Sequence, residues 1–180
     1  MKEGKSNGVI FAYGQTGSGK SYTINEVLDL FEGTARVKFI QIYKGSCFDL
    51  LNRKLKIEGT EGGTVVEVDC ANNGLRELVE SAGRFRHEKE TLMNEASSRS
   101  HSLLFVRFDK KALCLVDLAG SERVKRSNVK REGFKEATSI NTSLFSLIRV
   151  INSAITSSKH IPMKDSLLTR CLHSIFAEDW

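Results

Sequence analysis

Gly14-Gln15-Thr16-Gly17-Ser18-Gly19-Lys20-Ser21 follows the apolar run Val9-Ile10-Phe11-Ala12-Tyr13 and fits the pattern G-x-x-x-x-G-K-[ST]. A short apolar strand thus delivers the chain to a glycine-rich turn that opens a helix. Glycines let backbone come close to a ligand and let N–H groups point inward at phosphate oxygens. The helix that follows adds the positive end of its dipole. In this pattern Lys20 reaches the β- and γ-phosphates, and the Ser21 hydroxyl takes one place on Mg²⁺. A glycine-rich turn without function would need neither the Lys-Ser pair nor the strand before it.

The rest of the chain can be read for what would serve such a loop. Its 180 residues suffice for one domain with a core, and the apolar and charged fractions, 40% and 27%, are those of an ordinary globular protein. A net charge of +5 and a pI near 9.1 suggest an acidic partner surface, provided the charge is concentrated somewhere. Cys47, Cys70, Cys114 and Cys171 are far apart in sequence and form no C-x-x-C pair. Metal ligation and a disulfide framework are therefore poorly supported, and reduced thiols in a cytosolic or nuclear compartment are expected. The polar start Met1 to Gly8 and the short apolar run after it suit neither a signal sequence nor a membrane span.

Downstream of the loop, Ile24, Val27, Leu28 and Phe31 keep helical spacing, and Gly33 is the expected helix end. Val37 to Tyr43 reads as a half-buried strand, and Cys47 to Leu51 as a second apolar patch across a turn at Lys44-Gly45-Ser46. Thr64 to Val68 is a β-branched strand, and Leu75, Leu78, Val79 and Ala82 return to helical spacing. Leu103 to Phe108 and Ala112 to Val116 predict a hairpin around Asp109-Lys110-Lys111. Its second strand closes on Asp117 and runs into Leu118-Ala119-Gly120, the arrangement of a Walker-B Mg²⁺ site followed by a γ-phosphate-sensing glycine.

Arg123, Lys125, Arg126, Lys130, Arg131 and Lys135 form the densest basic stretch, with Glu132 the one acid among them. A helix is predicted from Lys135 to Thr156, with Ile140, Leu144, Leu147, Ile148, Ile151 and Ile155 facing the core. Pro162 is expected near the start of a last helix that buries Leu167, Leu168, Cys171, Leu172 and Ile175.

Three stretches together resemble the kinesin motor domain, over Asn7 to about Phe176. The phosphate loop continues into Tyr22-Thr23, similar to G-Q-T-G-x-G-K-[ST]-x-T. Asn94-Glu95-Ala96-Ser97-Ser98-Arg99-Ser100-His101 matches the switch I pattern N-x-x-S-S-R-S-H, and Asp117 to Glu122 is the switch II sequence D-L-A-G-S-E. Ile42-Tyr43 with Asp49-Leu50-Leu51, Lys135-Glu136-Ala137 with Ile140-Asn141, and His160-Ile161-Pro162 with Leu168-Thr169-Arg170 add to the likeness.

The resemblance implies an α/β fold of P-loop NTPase type: a three-layer sandwich in which helices flank a mixed central sheet. It implies one partial motor domain over residues 1–180, binding ATP and Mg²⁺. Gly14, Gln15, Thr16, Gly17, Ser18, Gly19, Lys20 and Ser21 would hold phosphates, and Tyr22 would stack on adenine or serve as a core aromatic. Ser21 and Ser98 would ligate Mg²⁺ directly, with Asp117 acting through water. Ser97 and the Gly120 amide would face the γ-phosphate, while Arg99 would pair with Glu122 to close the site around the attacking water. Such a pair also makes a two-state switch that reports the γ-phosphate. Asn141 would carry that signal to the track-binding face. His101 is read as a packed, hydrogen-bonded structural residue.

Lys125, Arg126, Lys130, Arg131, Lys159, Lys164 and Arg170 would contact the acidic microtubule surface, which places the protein on tubulin in the cytoplasm and cytoskeleton. No aromatic platform accompanies these charges, so sequence-specific nucleic-acid recognition is not expected, nor is a membrane partner. The chain also departs from the family. Gln41, Lys44 and Gly45 interrupt E-I-Y-N-E, Arg131 replaces a glycine, Leu167 replaces a lysine, and Ala177-Glu178-Asp179-Trp180 stands where Gly-Gly-Asn is usual. The adenine-pocket strand and the neck linker find no counterpart, so dimerisation is not encoded in this stretch, and unpaired sheet edges imply marginal stability. A regulatory module that binds nucleotide or tubulin with little turnover is the competing reading. A GTPase or small-molecule kinase lacks its N-K-x-D or lid sequence.

Overall fold

The computed structural model describes residues 7–53, 55–58, 60, 62–87, 96–108, 111–122 and 131–176, with side chains except at 72, 85–87, 96–97, 131–137 and 174–176. Strand β1 (Asn7–Ala12) leads through the phosphate loop into helix α1 (Lys20–Leu28). Strands β2 (Thr34–Tyr43), β3 (Ser46–Asp49), β4 (Leu55–Ile57) and β5 (Val66–Asp69) follow, then α2 (Gly74–His87) and the short α3 (Ala96–Arg99). The hairpin β6 (His101–Phe108) and β7 (Lys111–Asp117) precedes the 25-residue helix α4 (Arg131–Ile155) and α5 (Leu167–Phe176).

The seven strands make one mixed sheet in the order β1-β7-β6-β2-β3-β4, with β5 also pairing β2. Only β1 and β7 run parallel, with Ala12 opposite Asp117, so the end of β1 and the end of β7 lie side by side. That pairing sets the site, because the phosphate loop leaves one strand end and the Asp117 segment leaves the other. Strand β2 takes β6 along one side; along the other it pairs β5 through Thr34 to Val37 and β3 through Ile40 to Tyr43.

Alternation along the strands divides the core into two clusters, one on each face. Leu103, Phe105, Cys114 and Val116 pack with Leu144 and Leu147 of α4 and Leu168, Cys171 and Leu172 of α5. Leu104, Val106 and Leu115 pack with Ile24 and Leu28 of α1 and Leu75, Val79 and Ala82 of α2. The helix–sheet–helix sandwich is therefore as expected. Strand β2 is not half-buried, however: Phe39 to Ile42 are all buried, because helices cover both of its faces.

Other boundaries also move. Helix α1 stops at Leu28, well before Gly33, where amides of Leu30 and Phe31 turn back to the carbonyls of Val27 and Leu28. This turn lays Phe31 on the ring of Phe108, with centroids 5.8 Å apart. Arg76 of α2 fixes the same corner through two hydrogen bonds to Asp29 and one to the Asn25 carbonyl. Strand β4 had no signal in the sequence; it forms because β3 offers an open edge to Leu55–Ile57. The β2–β3 turn is a two-residue loop, with Lys44 and Gly45 at φ 48° and 71° between the pair Tyr43 and Ser46.

In α4, Leu144, Leu147 and Val150 are buried while Ile148 and Ile155 are 48% and 76% exposed. Ile148 sits one residue past Leu147 and is rotated about 100° off the buried stripe. Pro162 lies five residues before α5, in an irregular segment where its carbonyl accepts from Asp165 N–H. Leu168, Cys171 and Leu172 form the buried face of α5 as expected; the side chain of Ile175 lies outside the described residues. Among the described residues no helix is long and apolar enough to cross a membrane.

Candidate functional site

The parallel pairing of β1 and β7 brings three segments of the chain together. Leu118 N–H donates to the Ala12 carbonyl at 3.2 Å, and Ser121 N–H to the Gly14 carbonyl at 3.2 Å, which holds Leu118 to Ser121 against the phosphate loop. Gly120 N–H donates to the Ser98 carbonyl at 2.8 Å, which adds α3 to the same corner. The loop, switch I and switch II stretches, far apart in sequence, therefore meet through backbone hydrogen bonds.

The loop is shaped by its glycines. Gly17 and Gly19 have φ of 78° and 87°, the left-handed region in which a side chain is strained. Gly19 is also the residue before the first turn of α1, so the helix begins directly at Lys20. The Lys20 ammonium donates to the Gln15 carbonyl at 2.8 Å and so arches over the loop. The Ser21 hydroxyl donates to Asp117 Oδ2 at 2.6 Å, joining the first turn of α1 to the end of β7. Asp117 is buried, and these two hard oxygen ligands are the set that a small divalent cation prefers. The residues present thus suit Mg²⁺ with a polyphosphate. A cavity of about 460 Å³ opens beside Ser21 and Asp117, lined also by Asn25, Glu80, Arg84 and Ser102.

Glu122 completes the corner. Its carboxylate accepts from Thr16 N–H at 3.1 Å and from the Thr16 hydroxyl at 2.5 Å. Crowding pushes this carboxyl upward, but hydrogen bonds from Thr16 and from its own amide, with the nearby charge of Lys20, outweigh that and hold it below the usual carboxylate range. Gly120 sits under the same contact. A Cβ there would run into both carboxylate oxygens and the Thr16 hydroxyl, so a side chain at this position would push the Glu122–Thr16 contact aside.

Arg99 is placed elsewhere. It lines a second cavity of about 510 Å³, with Lys44, His101, Ser143, Asp165 and Arg170. The structure therefore sets Glu122 against Thr16, where an Arg99–Glu122 pair was expected. Ser98 contributes its carbonyl to Gly120, while the side chain of Ser97 in α3 lies outside the described residues. Tyr22 is 69% exposed, which removes the core-aromatic reading and leaves its ring free beside the loop.

Sequence reasoning identified His101 as structural without seeing what it connects. His101 is buried; its Nδ1 accepts from Ala119 N–H at 3.0 Å, and its Nε2 lies 2.7 Å from the Ser143 hydroxyl on α4. With Nδ1 accepting, the proton sits on Nε2 and is donated to Ser143, whose hydroxyl donates onward to the Ile140 carbonyl. One imidazole thus links the segment after Asp117 to the long helix. The adjacency of His101 to the switch I pattern was the available signal.

Of the basic residues, Lys159, Lys164 and Arg170 are exposed on and around the connection from α4 to α5. Arg131 is the first residue of α4, and its side chain lies outside the described residues, as do Lys125, Arg126 and Lys130 altogether.

Comparison with known proteins agrees with this geometry. The family model described as kinesin motor domain matches residues 29–179. The chain is 32% identical to kinesin-like protein KIN-5D of Arabidopsis thaliana over 92% of its length, and 38% identical to KIN-7A of the same plant over 94%. It is 34% identical to kinesin-like protein bimC of Emericella nidulans over 92% of its length. These alignments span only 21%, 22% and 18% of the relatives, so the chain corresponds to about a fifth of each. Among solved structures, a fast kinesin superposes with a TM-score of 0.71 at 30% identity, covering 94% of this chain and 60% of the other. A structure described as kinesin 6 gives 0.73 at 23% identity, covering 96% and 74%, a likeness of fold. With a family model matched over most of its length and a phosphate-loop corner built as that fold requires, the chain belongs to the kinesin motor-domain family.

Proposed function

We propose that residues 1–180 form a partial kinesin motor domain that binds and hydrolyses ATP in association with microtubules. The observation that carries this reading is the convergence of Gly14 to Ser21, Ser98 and Asp117 to Glu122 within hydrogen-bond contact. Phosphoryl transfer to water needs positioning and charge neutralisation more than covalent help, and this corner supplies both. Gln15, Thr16, Gly17, Ser18 and Gly19 wrap the phosphates with backbone amides, Lys20 releases the Gln15 carbonyl to meet them, and Tyr22 offers its exposed ring to the base.

Ser21 and Ser98 would hold Mg²⁺, with Asp117 acting through water. When bound, the cation neutralises charge on the phosphate oxygens. Ser97 faces the γ-phosphate, as does the Gly120 amide once it leaves the Ser98 carbonyl. Arg99 and Glu122 act on the attacking water, which requires Glu122 to leave Thr16 and Arg99 to swing from its cavity. The Thr16–Glu122 contact is then the resting form of the switch, and the phosphate that displaces Thr16 frees the carboxylate. His101 and Ser143 pass the shift of Ala119 and Gly120 to α4, whose exposed Asn141 faces the track.

Lys125, Arg126, Lys130, Arg131, Lys159, Lys164 and Arg170 supply the positive surface for the acidic microtubule, a charge-steered contact. The fast kinesin above was studied for its ATPase mechanism and its interactions with microtubules, and the family is described as a motor domain; both favour turnover over a silent nucleotide- or tubulin-binding module. The test is phosphate release with and without microtubules for wild type and Glu122→Ala. Stimulation by microtubules in wild type, lost in the variant, is expected. No stimulation, or equal rates in both proteins, would overturn the enzymatic reading.

A further inference from the structure

Cys47 on β3 and Cys171 on α5 are 124 positions apart in sequence, and their sulfurs are 3.7 Å apart. Both are buried in the cluster between the sheet and the helices α4 and α5. The surroundings treat the two thiols differently. The hydrogen bond from Cys171 lowers the Cys47 thiol against the opposing effect of burial, and the charges of Lys38 and Arg170 lower it further. Cys171 is pushed up by the same bond and by burial. Lys38 is itself only 3% exposed, with its ammonium 5.9 Å above the Phe105 ring, so its charge is held inside the fold. Cys114 and Cys70 lack this setting and are both raised, chiefly by burial.

Both sulfurs are buried. Ile42, the cross-strand partner of Cys47, and Leu167 and Leu168, one turn before Cys171 on α5, line the cavity of about 510 Å³, so the neighbours of both cysteines form part of its wall. Oxidation requires that wall to open to a small oxidant.

We propose that Cys47 and Cys171 form an oxidation site, closed to a disulfide by hydrogen peroxide, which clamps the β2–β3 hairpin to α5. The Cys47 thiolate attacks the peroxide oxygen, the O–O bond breaks, and protonation of the leaving oxygen gives water and a Cys47 sulfenic acid. The Cys171 sulfur then attacks the Cys47 sulfur. The S–O bond breaks, and the hydroxide leaves as water with the Cys171 proton. Two thiols lose two electrons in total and one peroxide is reduced to two waters. The sulfurs must approach from 3.7 Å to about 2.05 Å, which requires side-chain rotation and a small shift of α5. Once closed, the bond holds α5 to the sheet and restrains α4, which packs beside it, in the layer that the switch segments address.

The test treats the reduced full chain with hydrogen peroxide, alkylates it under denaturing conditions and maps the peptides by mass spectrometry. The expected result is two protected thiols out of four, found in one Cys47–Cys171 cross-linked peptide that dithiothreitol releases. Cys47→Ser should leave Cys171 fully alkylated, and Cys171→Ser should leave Cys47 as a sulfenic or over-oxidised species. Four alkylated thiols after treatment would overturn the proposal, as would a link through Cys70 or Cys114, or stable over-oxidation of Cys47 beside a free Cys171 in wild type. The wild-type map decides the matter by itself should either serine variant fail to fold.

Discussion

Gly120 shows how much one missing side chain can matter. Its amide reaches the Ser98 carbonyl, while a Cβ would strike the Glu122 carboxylate and the Thr16 hydroxyl. Gly120→Ala keeps the amide but displaces the Glu122 carboxylate from Thr16, so it should leave the fold intact by circular dichroism and lower microtubule-stimulated phosphate release. Glu122 makes a prediction about pH. Its carboxyl is lowered in the folded protein, so the Thr16–Glu122 contact contributes stability at neutral pH, and that contribution is lost as pH falls through the lowered value. Melting temperatures of wild type and Glu122→Gln should differ near pH 7 and converge at acid pH. A difference that persisted or grew in acid would contradict the assignment. The motif made Gly120 and Glu122 legible in the sequence. That Glu122 rests on Thr16, while Arg99 lines another cavity, was not legible, because both are charged residues with several reachable partners and only packing chooses among them.

Elements are held by a few buried side chains whose roles local patterns barely announce. The Asp49 carboxylate closes the end of β3 by accepting from Leu51 and Asn52 amides, and it also accepts from Thr64 across the loop. Asp49→Ala leaves three amides without that partner in a part-buried corner and should cost about 2–4 kcal/mol in chemical denaturation. On α5, Leu168 is fully buried against the sheet. Leu168→Ala should cost about 2–5 kcal/mol, while Ile155→Ala on the exposed end of α4 should stay within about 0.5 kcal/mol. The long helices were legible from their spacing, and of the residues named for α5, Leu168, Cys171 and Leu172 are buried while Leu167 is half-buried. The stripe on α4 was over-read, since several isoleucines at three- and four-residue steps fit two overlapping faces and only the sheet below selects one. Strand β4 carried no pattern at all, being three residues recruited by an open edge.

At the scale of the molecule, among the described residues the sheet ends at β1, which pairs with β7 on one side and exposes Ile10. An open edge with an apolar residue invites pairing with another chain. The chain should associate as its concentration rises, in light scattering, and Ile10→Lys should suppress that. A concentration-independent monomer that melts cooperatively far above growth temperature would refute both the association and the expected marginal stability.

The sequence by itself determined the phosphate loop, the two switch stretches, the alternating strands and the family, because each depends on local geometry: fixed glycines, fixed spacing and period-two or helical burial. The tertiary structure alone decided which distant groups meet. Parallel pairing of β1 with β7 put Ser21 on Asp117 and Glu122 on Thr16, and His101 joined the switch segment to α4. Packing of α5 on β3 set Cys47 beside Cys171, two thiols that their spacing in the chain had marked as unrelated. Local conformation is encoded within a few residues, whereas such contacts follow from how whole layers stack, and no short pattern records that.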